Sequence, residues 1–281
     1  MQRRFHQLDV FSAVPLKGNP LAVVHGAQGL SDTHMAAFAR WTNLSETTFL
    51  LPPEDAAADY KVRIFTPAGE LPFAGHPTLG SCHAWLAAGG APRTPGTVVQ
   101  ECGVGLVRIR QSGGRLAFAA PPLKRTGPLE SELLTRIVAG LGLARGDVLH
   151  HQWVDNGPGW CAVMLKSAAQ VLAVKPDAAK LGPLKLGIVG AHAPGGPNPE
   201  IAFELRALFP MPGVLIEDPV TGSLNASVAQ WLIGAGLAPA SYVAGQGSVL
   251  GRDGRVYVEQ QGETIWIGGD VVACIEGQVS L

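Results

Sequence analysis

The chain has 281 residues, of which 47% are hydrophobic and 15% charged, and its formal net charge is −1. This composition is too apolar for a disordered chain and predicts a compact fold with a large core. The near-neutral charge, with Lys and Arg clustered no further than in pairs, argues against binding to nucleic acid or to an anionic membrane surface. No apolar stretch has the length of a membrane span or follows the first residues as a signal peptide would, so we expect a cytoplasmic protein.

The predicted secondary structure consists of many short strands and a few helices. Taken in chain order, the first half is expected to contain strands at 5–11, 21–24, 47–51, 98–102, 106–110 and 116–118, with helices at 33–41 and 78–88. The second half is expected to contain helices at 129–141 and 224–233 and strands at 161–165, 214–216, 255–259 and 264–268, before a last strand at 271–278. The helices at 78–88 and 224–233 are apolar nearly all round, which is typical of buried helices.

The cysteines do not indicate a metal site. Cys82, Cys102, Cys161 and Cys274 lie far apart and form no CxxC pair. This spacing predicts neither a zinc site nor a disulfide framework. Buried free thiols in a reducing compartment are the expected state.

Two segments of the chain match each other without gaps. The segment 70–78 and the segment 217–225 align at an offset of 147 residues, close to half the chain, and the match continues to Gly89 and Gly236. Several matched positions in one register predict an internal duplication. The matched pairs are Glu70 with Glu217, Pro72 with Pro219 and Gly75 with Gly222, and further upstream Arg63 recurs as Arg206.

The pattern predicts an α+β fold with two pseudo-symmetric halves, each a central helix wrapped by a curved, mostly antiparallel sheet. The turn-forming stretch 119–123 is the expected boundary. We therefore expect a first half of residues 1–119, to which 270–281 return, and a second half of residues 120–269. The active site is expected between the halves.

Each repeat places a glycine immediately before a helix. Pro77 suits a first helical position, and Ser223 is a natural N-cap residue. Free backbone N–H groups and the positive end of the helix dipole make such helix starts suitable for an anion, so Gly75, Gly222 and Ser223 are candidates for binding a small carboxylated substrate. The alternative is that both are ordinary helix caps.

Polar residues beside these turns are candidate reactants. Asp218 precedes Pro219 in an apolar approach, His76 follows Gly75, and Glu46 opens a strand. Burial at a strand start would raise the pKa of a carboxylate, as a group that takes up and returns a proton requires. From its spacing alone, Glu46 is equally well explained as a solvated turn residue.

Five motifs together give the chain a resemblance to the phenazine-biosynthesis PhzF family. The resemblance covers essentially the whole chain in order. The motifs are Gly-Asn-Pro-Leu-Ala-Val-Val at 18–24, Asn-Leu-Ser-Glu-Thr-Thr-Phe at 43–49, Phe-Ala-Gly-His-Pro-Thr-Leu-Gly at 73–80, Glu-Asp-Pro-Val-Thr-Gly-Ser at 217–223 and Gln-Gly-Ser-Val-Leu-Gly-Arg at 246–252.

This resemblance implies a diaminopimelate epimerase-like fold, a homodimer, and no metal or organic cofactor. The family's namesake isomerises a dihydro-hydroxyanthranilate by moving a hydrogen along the ring system. The resemblance also implies that Glu46 is the proton shuttle and that His76, Asp218, Gly222 and Ser223 line the substrate site. We assign Gly75 and Ser45 to substrate binding as well.

A departure from the wider superfamily narrows the chemistry. The epimerase and racemase relatives use two cysteines, one per half, where this chain has Ala74 and Thr221. Neither side chain can form a thiolate base, so racemisation by two cysteines is excluded. The hypothesis is therefore a cofactor-independent isomerase of a small cyclic carboxylate. A lyase or hydratase on the same scaffold, and a non-catalytic protein that binds small carboxylates, are the alternatives.

Overall fold

The computed structural model describes residues 1–196, 198–211 and 214–281. Short strands predominate, as predicted. They are β1 (Gln2–Val10), β2 (Asn19–Val24), β3 (Glu46–Leu51), β4 (Tyr60–Thr66), β5 (Gly69–Leu71), β6 (Thr97–Cys102), β7 (Gly105–Ser112), β8 (Arg115–Ala119), β9 (Val148–Trp153), β10 (Cys161–Leu165), β11 (Leu186–Ala191), β12 (Phe203–Met211), β13 (Val214–Asp218), β14 (Ser241–Gln246), β15 (Gly254–Gln261), β16 (Thr264–Gly269) and β17 (Val271–Ser280). The helices are α1 (Asp32–Thr42), α2 (Gly75–Ala87), α3 (Ser131–Leu141), α4 (Ala168–Ala173), α5 (Ala178–Leu181) and α6 (Gly222–Gly234).

The chain forms two compact units. Met1–Ala119 and Ile267–Leu281 make up the first unit, and Ala120–Trp266 make up the second. The last segment belongs to the first unit because β17 pairs antiparallel with β1, from Gln2 opposite Ser280 to Val10 opposite Val271.

The two units repeat one order of strand pairing. In the first, β1/β2 is antiparallel, β2/β3 parallel, β3/β4 antiparallel, β4/β5 antiparallel, β4/β6 parallel and β6/β7 antiparallel. In the second, β9/β10, β10/β11, β11/β12, β12/β13, β12/β14 and β14/β15 follow in the same sequence of directions. The long helix follows the fifth strand of each series, α2 after β5 and α6 after β13. The duplication read from the motifs is therefore also a duplication of topology.

The central helices α2 and α6 are buried as their sequences predict. Helix α2 packs against β1, β2, β3, β6, β8 and β17 within its unit, and α6 packs against β15. The approach of helix to sheet is close at Gly80, where an added Cβ would lie 2.5 Å from Leu21, and at Gly187, where it would lie 2.6 Å from Leu224. Both helices begin earlier than predicted, α2 by three residues and α6 by two.

The side chains repeat as well. Arg63 Nε and Nη2 donate to the two carboxylate oxygens of Glu70, at 2.7 and 2.6 Å. In the second unit Arg206 donates to Glu217 with the same two nitrogens, at 3.0 and 2.8 Å. Each pair connects the two strands that lead into the central helix, and it accounts for the recurrence of these residues in the sequence.

The structure also shows the local surroundings of two helix ends and of the cysteines. Ser31 caps α1, accepting a hydrogen bond from the His34 N–H, and Gly142 ends α3 with a left-handed backbone at φ 65°. Cys82, Cys102 and Cys161 are buried free thiols as expected, but Cys274 is exposed because it lies on β17. Among the helices of the described ranges, none is long and apolar enough to cross a membrane.

Candidate active site

Glu46 and His76 lie together in the first unit. Glu46 is the first residue of β3, and His76 is the second residue of α2. The carboxylate Oε2 lies 3.2 Å from the imidazole Nε2, and the two side chains are only 15% and 5% exposed. This enclosure argues against a solvated turn residue at position 46, while the role of Glu46 in proton transfer stays a prediction.

His76 is held in its neutral form by burial. Desolvation disfavours the imidazolium and lowers the pKa of His76 to about 3. Its second ring nitrogen, Nδ1, accepts a hydrogen bond from Asn19 Nδ2 at 3.3 Å. Around neutral pH the Glu46 carboxylate therefore has an uncharged imidazole beside it.

The backbone around Asn19 is tightly constrained. The Gly18 N–H donates to Asp9 Oδ2 at 2.8 Å, and Asn19 itself is fully buried. A Cβ at Gly18 would lie 2.2 Å from the Val10 carbonyl oxygen, so only glycine fits there. Sequence reasoning included Asn19 in a family motif but did not assign it to the site. The motif alone carries no signal that its side chain reaches His76.

Helix α2 starts without a side-chain cap. Ala74 occupies the N-cap position in extended conformation and has no side-chain acceptor. The N–H groups of Gly75 and His76 have no hydrogen-bond partner within the described ranges. Pro77 is the third helical residue, rather than the first as predicted, and lacks an N–H. The positive end of a buried helix is thus left open at the residue that lies against Glu46.

Ser45 precedes Glu46 and is partly buried. In the part of the chain that the structure describes, its side chain forms no hydrogen bond with Glu46 or His76. Its predicted part in substrate binding stays a prediction.

In the second unit, Asp218 ends β13 and interacts with the residue before α6. Thr221 Oγ1 donates to Asp218 Oδ2 at 2.6 Å. Thr221 is the N-cap residue of α6 by position, but its side chain does not cap the helix. Position 221 therefore holds a hydroxyl that orients a carboxylate.

Gln246 fixes the direction of that hydrogen bond. Its Nε2 donates to Thr221 Oγ1 at 3.0 Å and to the Asp218 carbonyl at 3.1 Å. Its Oε1 accepts from the Thr221 N–H at 3.0 Å and from Asn225 Nδ2 at 2.8 Å. Because Thr221 Oγ1 accepts from an amide, its own hydrogen is directed to Asp218. Gln246 was missed as a site residue because it lies in a different motif, on β14.

Ser223 is not the N-cap of α6, which corrects the prediction. The helix begins at Gly222, so Ser223 is its second residue. Its hydroxyl accepts from Trp160 Nε1 at 3.0 Å, and its carbonyl accepts from Asn156 Nδ2 at 2.9 Å. The N–H groups of Gly222 and Ser223 have no partner within the described residues. Ser223 therefore contributes a fixed hydroxyl next to a second open helix start.

None of the buried cysteines occupies the first turn of α2 or α6, and they are poor nucleophiles. Burial raises the pKa of the Cys102 thiol. It also raises the pKa of the Cys161 thiol, to about 12, so both thiols stay protonated near neutral pH. The titratable groups at the helix starts are instead Glu46, His76 and Asp218. This arrangement suits proton transfer by a carboxylate.

Comparison with known proteins supports the resemblance found in the sequence. A family model described as "Phenazine biosynthesis-like protein" (PhzC-PhzF) matches residues 8–277. The trans-2,3-dihydro-3-hydroxyanthranilate isomerase of Pseudomonas aeruginosa is 33% identical over 291 residues, which cover 99% of each chain. Antisense-enhancing sequence 1 of Schizosaccharomyces pombe is 33% identical over 294 residues, covering 99% of this chain and 98% of that protein. The crystal structure of a PhzF-family protein from Enterococcus faecalis matches with a TM-score of 0.82 at 24% identity, covering 100% of each chain.

Proposed function

Because the chain belongs to the phenazine biosynthesis-like (PhzC-PhzF) family and is an isomerase of that family, we propose that it moves a hydrogen within a small cyclic carboxylate, with Glu46 carrying the proton. The observation that supports this most directly is the enclosed Glu46 carboxylate 3.2 Å from His76. A single acid-base group that gives back the proton it takes needs neither a second base nor a cofactor.

The reaction conserves every atom. Glu46 takes a proton from an activated C–H bond, and the bonding electrons shift into the neighbouring conjugated system. The protonated Glu46 then returns the proton to another carbon, forming a new C–H bond as the electrons shift. His76 does not compete for this proton, because burial lowers its pKa to about 3.

The open helix starts are proposed to bind the substrate's carboxylate. At α2 these groups are the N–H donors of Gly75 and His76, and at α6 they are those of Gly222 and Ser223. Each set adds the positive end of a helix dipole. Asp218, oriented by Thr221, is proposed to accept a hydrogen bond from a polar substituent such as an amine or hydroxyl. Replacing Asp218 by Asn should then raise KM with little loss of kcat.

Deuterium incorporation from heavy water tests the proposal. The first compound to offer is trans-2,3-dihydro-3-hydroxyanthranilate, after which the relative is named, followed by other cyclic amino-carboxylic acids. If the proton on Glu46 exchanges with heavy water before it is returned, an isomerase yields a product with the substrate's mass plus the difference due to deuterium. A product lighter by one water would instead indicate a lyase, and a product heavier by one water would indicate a hydratase.

The Glu46→Gln variant keeps the shape of the side chain but removes the base. We expect kcat to fall by about 10²- to 10⁴-fold, the usual contribution of a general acid-base group. Glu263→Gln is the matched control, since Glu263 lies exposed in the turn between β15 and β16. Normal turnover by the Glu46→Gln variant would contradict the assignment.

A further inference from the structure

We propose that Asn19 is a positioning residue that selects the tautomer of His76, so that the ring nitrogen nearest Glu46 carries the proton. This inference deepens the proposed isomerase and rests on Glu46 being its acid-base group. The proposal concerns which of the two ring nitrogens of His76 carries the proton.

Each ring nitrogen of His76 has one neighbour. Nδ1 lies 3.3 Å from Asn19 Nδ2 in a hydrogen bond. Nε2 lies 3.2 Å from Glu46 Oε2, a close contact that is not aligned as a hydrogen bond. An amide NH₂ group can only donate, so the nitrogen facing it must carry a lone pair. The single proton of the neutral imidazole is then on Nε2, next to the carboxylate.

The donor is fixed before any substrate arrives. Asn19 is fully buried as the first residue of β2, where it pairs with Val10 of β1. Gly18 passes so close to the Val10 carbonyl that no side chain fits there, and its N–H is bonded to Asp9. The constraint on Gly18 thus holds the next residue, Asn19, and its side-chain amide in place. Keeping the tautomer of His76 therefore requires no reorganisation during the reaction.

The tautomer of His76 determines whether its interaction with the Glu46 carboxylate is attractive or repulsive. With the proton on Nε2, the imidazole stabilises the carboxylate and leaves it ready to accept a proton from the substrate. With the proton on Nδ1, a nitrogen lone pair would lie 3.2 Å from the anionic oxygen, and the carboxylate would be disfavoured. Asn19 therefore biases Glu46 toward its basic form through His76.

The wild-type protein can be tested without any substitution. Nitrogen-15 NMR of selectively labelled histidine distinguishes a protonated from an unprotonated ring nitrogen. We expect His76 to show an unprotonated Nδ1 and a protonated Nε2, with no change from pH 8 to pH 5. A protonated Nδ1 would overturn the proposal, and this readout holds even if the protein isomerises none of the compounds tried.

Two variants connect the tautomer to the reaction. Asn19→Leu removes the donor, and we expect kcat to fall by about ten- to a hundredfold, as when an orienting partner of a functional histidine is lost. Asn19→Asp provides an acceptor in its place and selects the wrong tautomer, which in serine proteases lowers kcat by about 10⁴-fold. The Asn19→Asp spectrum should show the proton on Nδ1, and the acid limb of its pH–rate profile should move to higher pH.

Gln111→Glu is the control, since it introduces a carboxylate at an exposed position of β7. It should leave the spectrum of His76 and the pH profile unchanged. If Asn19→Leu folds and keeps full kcat and the same profile, Asn19 does not position His76 for catalysis. Loss of turnover in Glu46→Gln together with normal turnover in both Asn19 variants would leave the isomerase standing and reject this inference alone.

Discussion

Arg206 and Glu217 form a bidentate ion pair that is almost fully buried. Their side chains are 3% and 10% exposed, whereas those of the equivalent pair in the first unit, Arg63 and Glu70, are 23% and 41% exposed. Arg206 Nη1 also donates to the Val171 and Val174 carbonyls, at 3.1 and 2.6 Å. The equivalent ion pair is thus shielded from water in the second unit and partly exposed to water in the first.

This difference predicts unequal responses to the same substitution. Glu217→Ala leaves a buried guanidinium without its counter-charge and should lower the free energy of unfolding by about 3–5 kcal/mol. Glu70→Ala removes a pair that solvent screens and should cost about 1 kcal/mol or less. Urea denaturation of both variants measures the difference. Equal losses would show that burial does not determine the contribution of this pair.

The neutral, buried His76 predicts a loss of stability in mild acid. The unfolded chain binds a proton at His76 below about pH 6.5, but the native protein does so only near pH 3. Between these values the unfolded state holds the extra proton, so stability falls as the pH falls, by about 1.4 kcal/mol per pH unit.

Urea denaturation of His76→Gln between pH 6 and pH 4 tests this dependence. The free energy of unfolding of this variant should fall less steeply with falling pH than that of the wild type. The control His150→Gln, at an exposed position of β9, should behave like the wild type. Parallel curves for His76→Gln and wild type would contradict the assignment of a low pKa to His76.

Gln246 should matter for stability as well as for the site. Gln246→Met leaves the Thr221 N–H and Asn225 Nδ2 without their acceptor in a region where Gln246 is 1% exposed. Two unpaired buried donors predict a loss of about 2–4 kcal/mol in guanidinium denaturation. Gln111→Met, on the exposed side of β7, should change stability by less than about 0.5 kcal/mol. Similar values for the two variants would mean that water replaces the Gln246 amide.

Thiol reactivity should distinguish Cys274 from the other cysteines. Cys274 is exposed, while Cys82, Cys102 and Cys161 are buried. A thiol reagent added to the native protein should label one cysteine quickly and the other three only after denaturation. Cys274→Ser should abolish the fast phase. A second fast thiol in that variant would show that one of the buried sites opens on the timescale of labelling.

The sequence predicted the parts of the fold that repeat. The matched Glu70 and Glu217, at an offset of 147 residues, indicated two equivalent units because each belongs to the same ion pair and precedes the same kind of helix. Helices α2 and α6 were recognisable because they are apolar on all sides. Their starts were placed too late, since glycine is a poor helix former in propensity terms and the first turn is stabilised here by burial rather than by a cap.

The site was only partly predictable, because the residues that hold its side chains in place are brought there by tertiary contacts. Glu46, His76 and Asp218 stand out as polar residues in apolar motifs. The amides that contact this site come from other strands, since Asn19 lies against His76 and Gln246 donates to Thr221 and to the Asp218 carbonyl. Amides at strand ends are common, and nothing in their local pattern shows which side chain they will contact. Ser223 was misassigned as a cap because serine before a helix usually caps it, while here Trp160 donates to the hydroxyl.

The pairing of β17 with β1 has a consequence for biosynthesis. The second unit is continuous in sequence, whereas the first includes Ile267–Leu281. On the ribosome, β1 emerges shortly before its β2 partner, but its β17 partner follows only after the whole of the second unit has been translated. One edge of β1 therefore stays without its native partner while the second unit is made, and the half that carries Glu46 completes its sheet only after that unit has been translated.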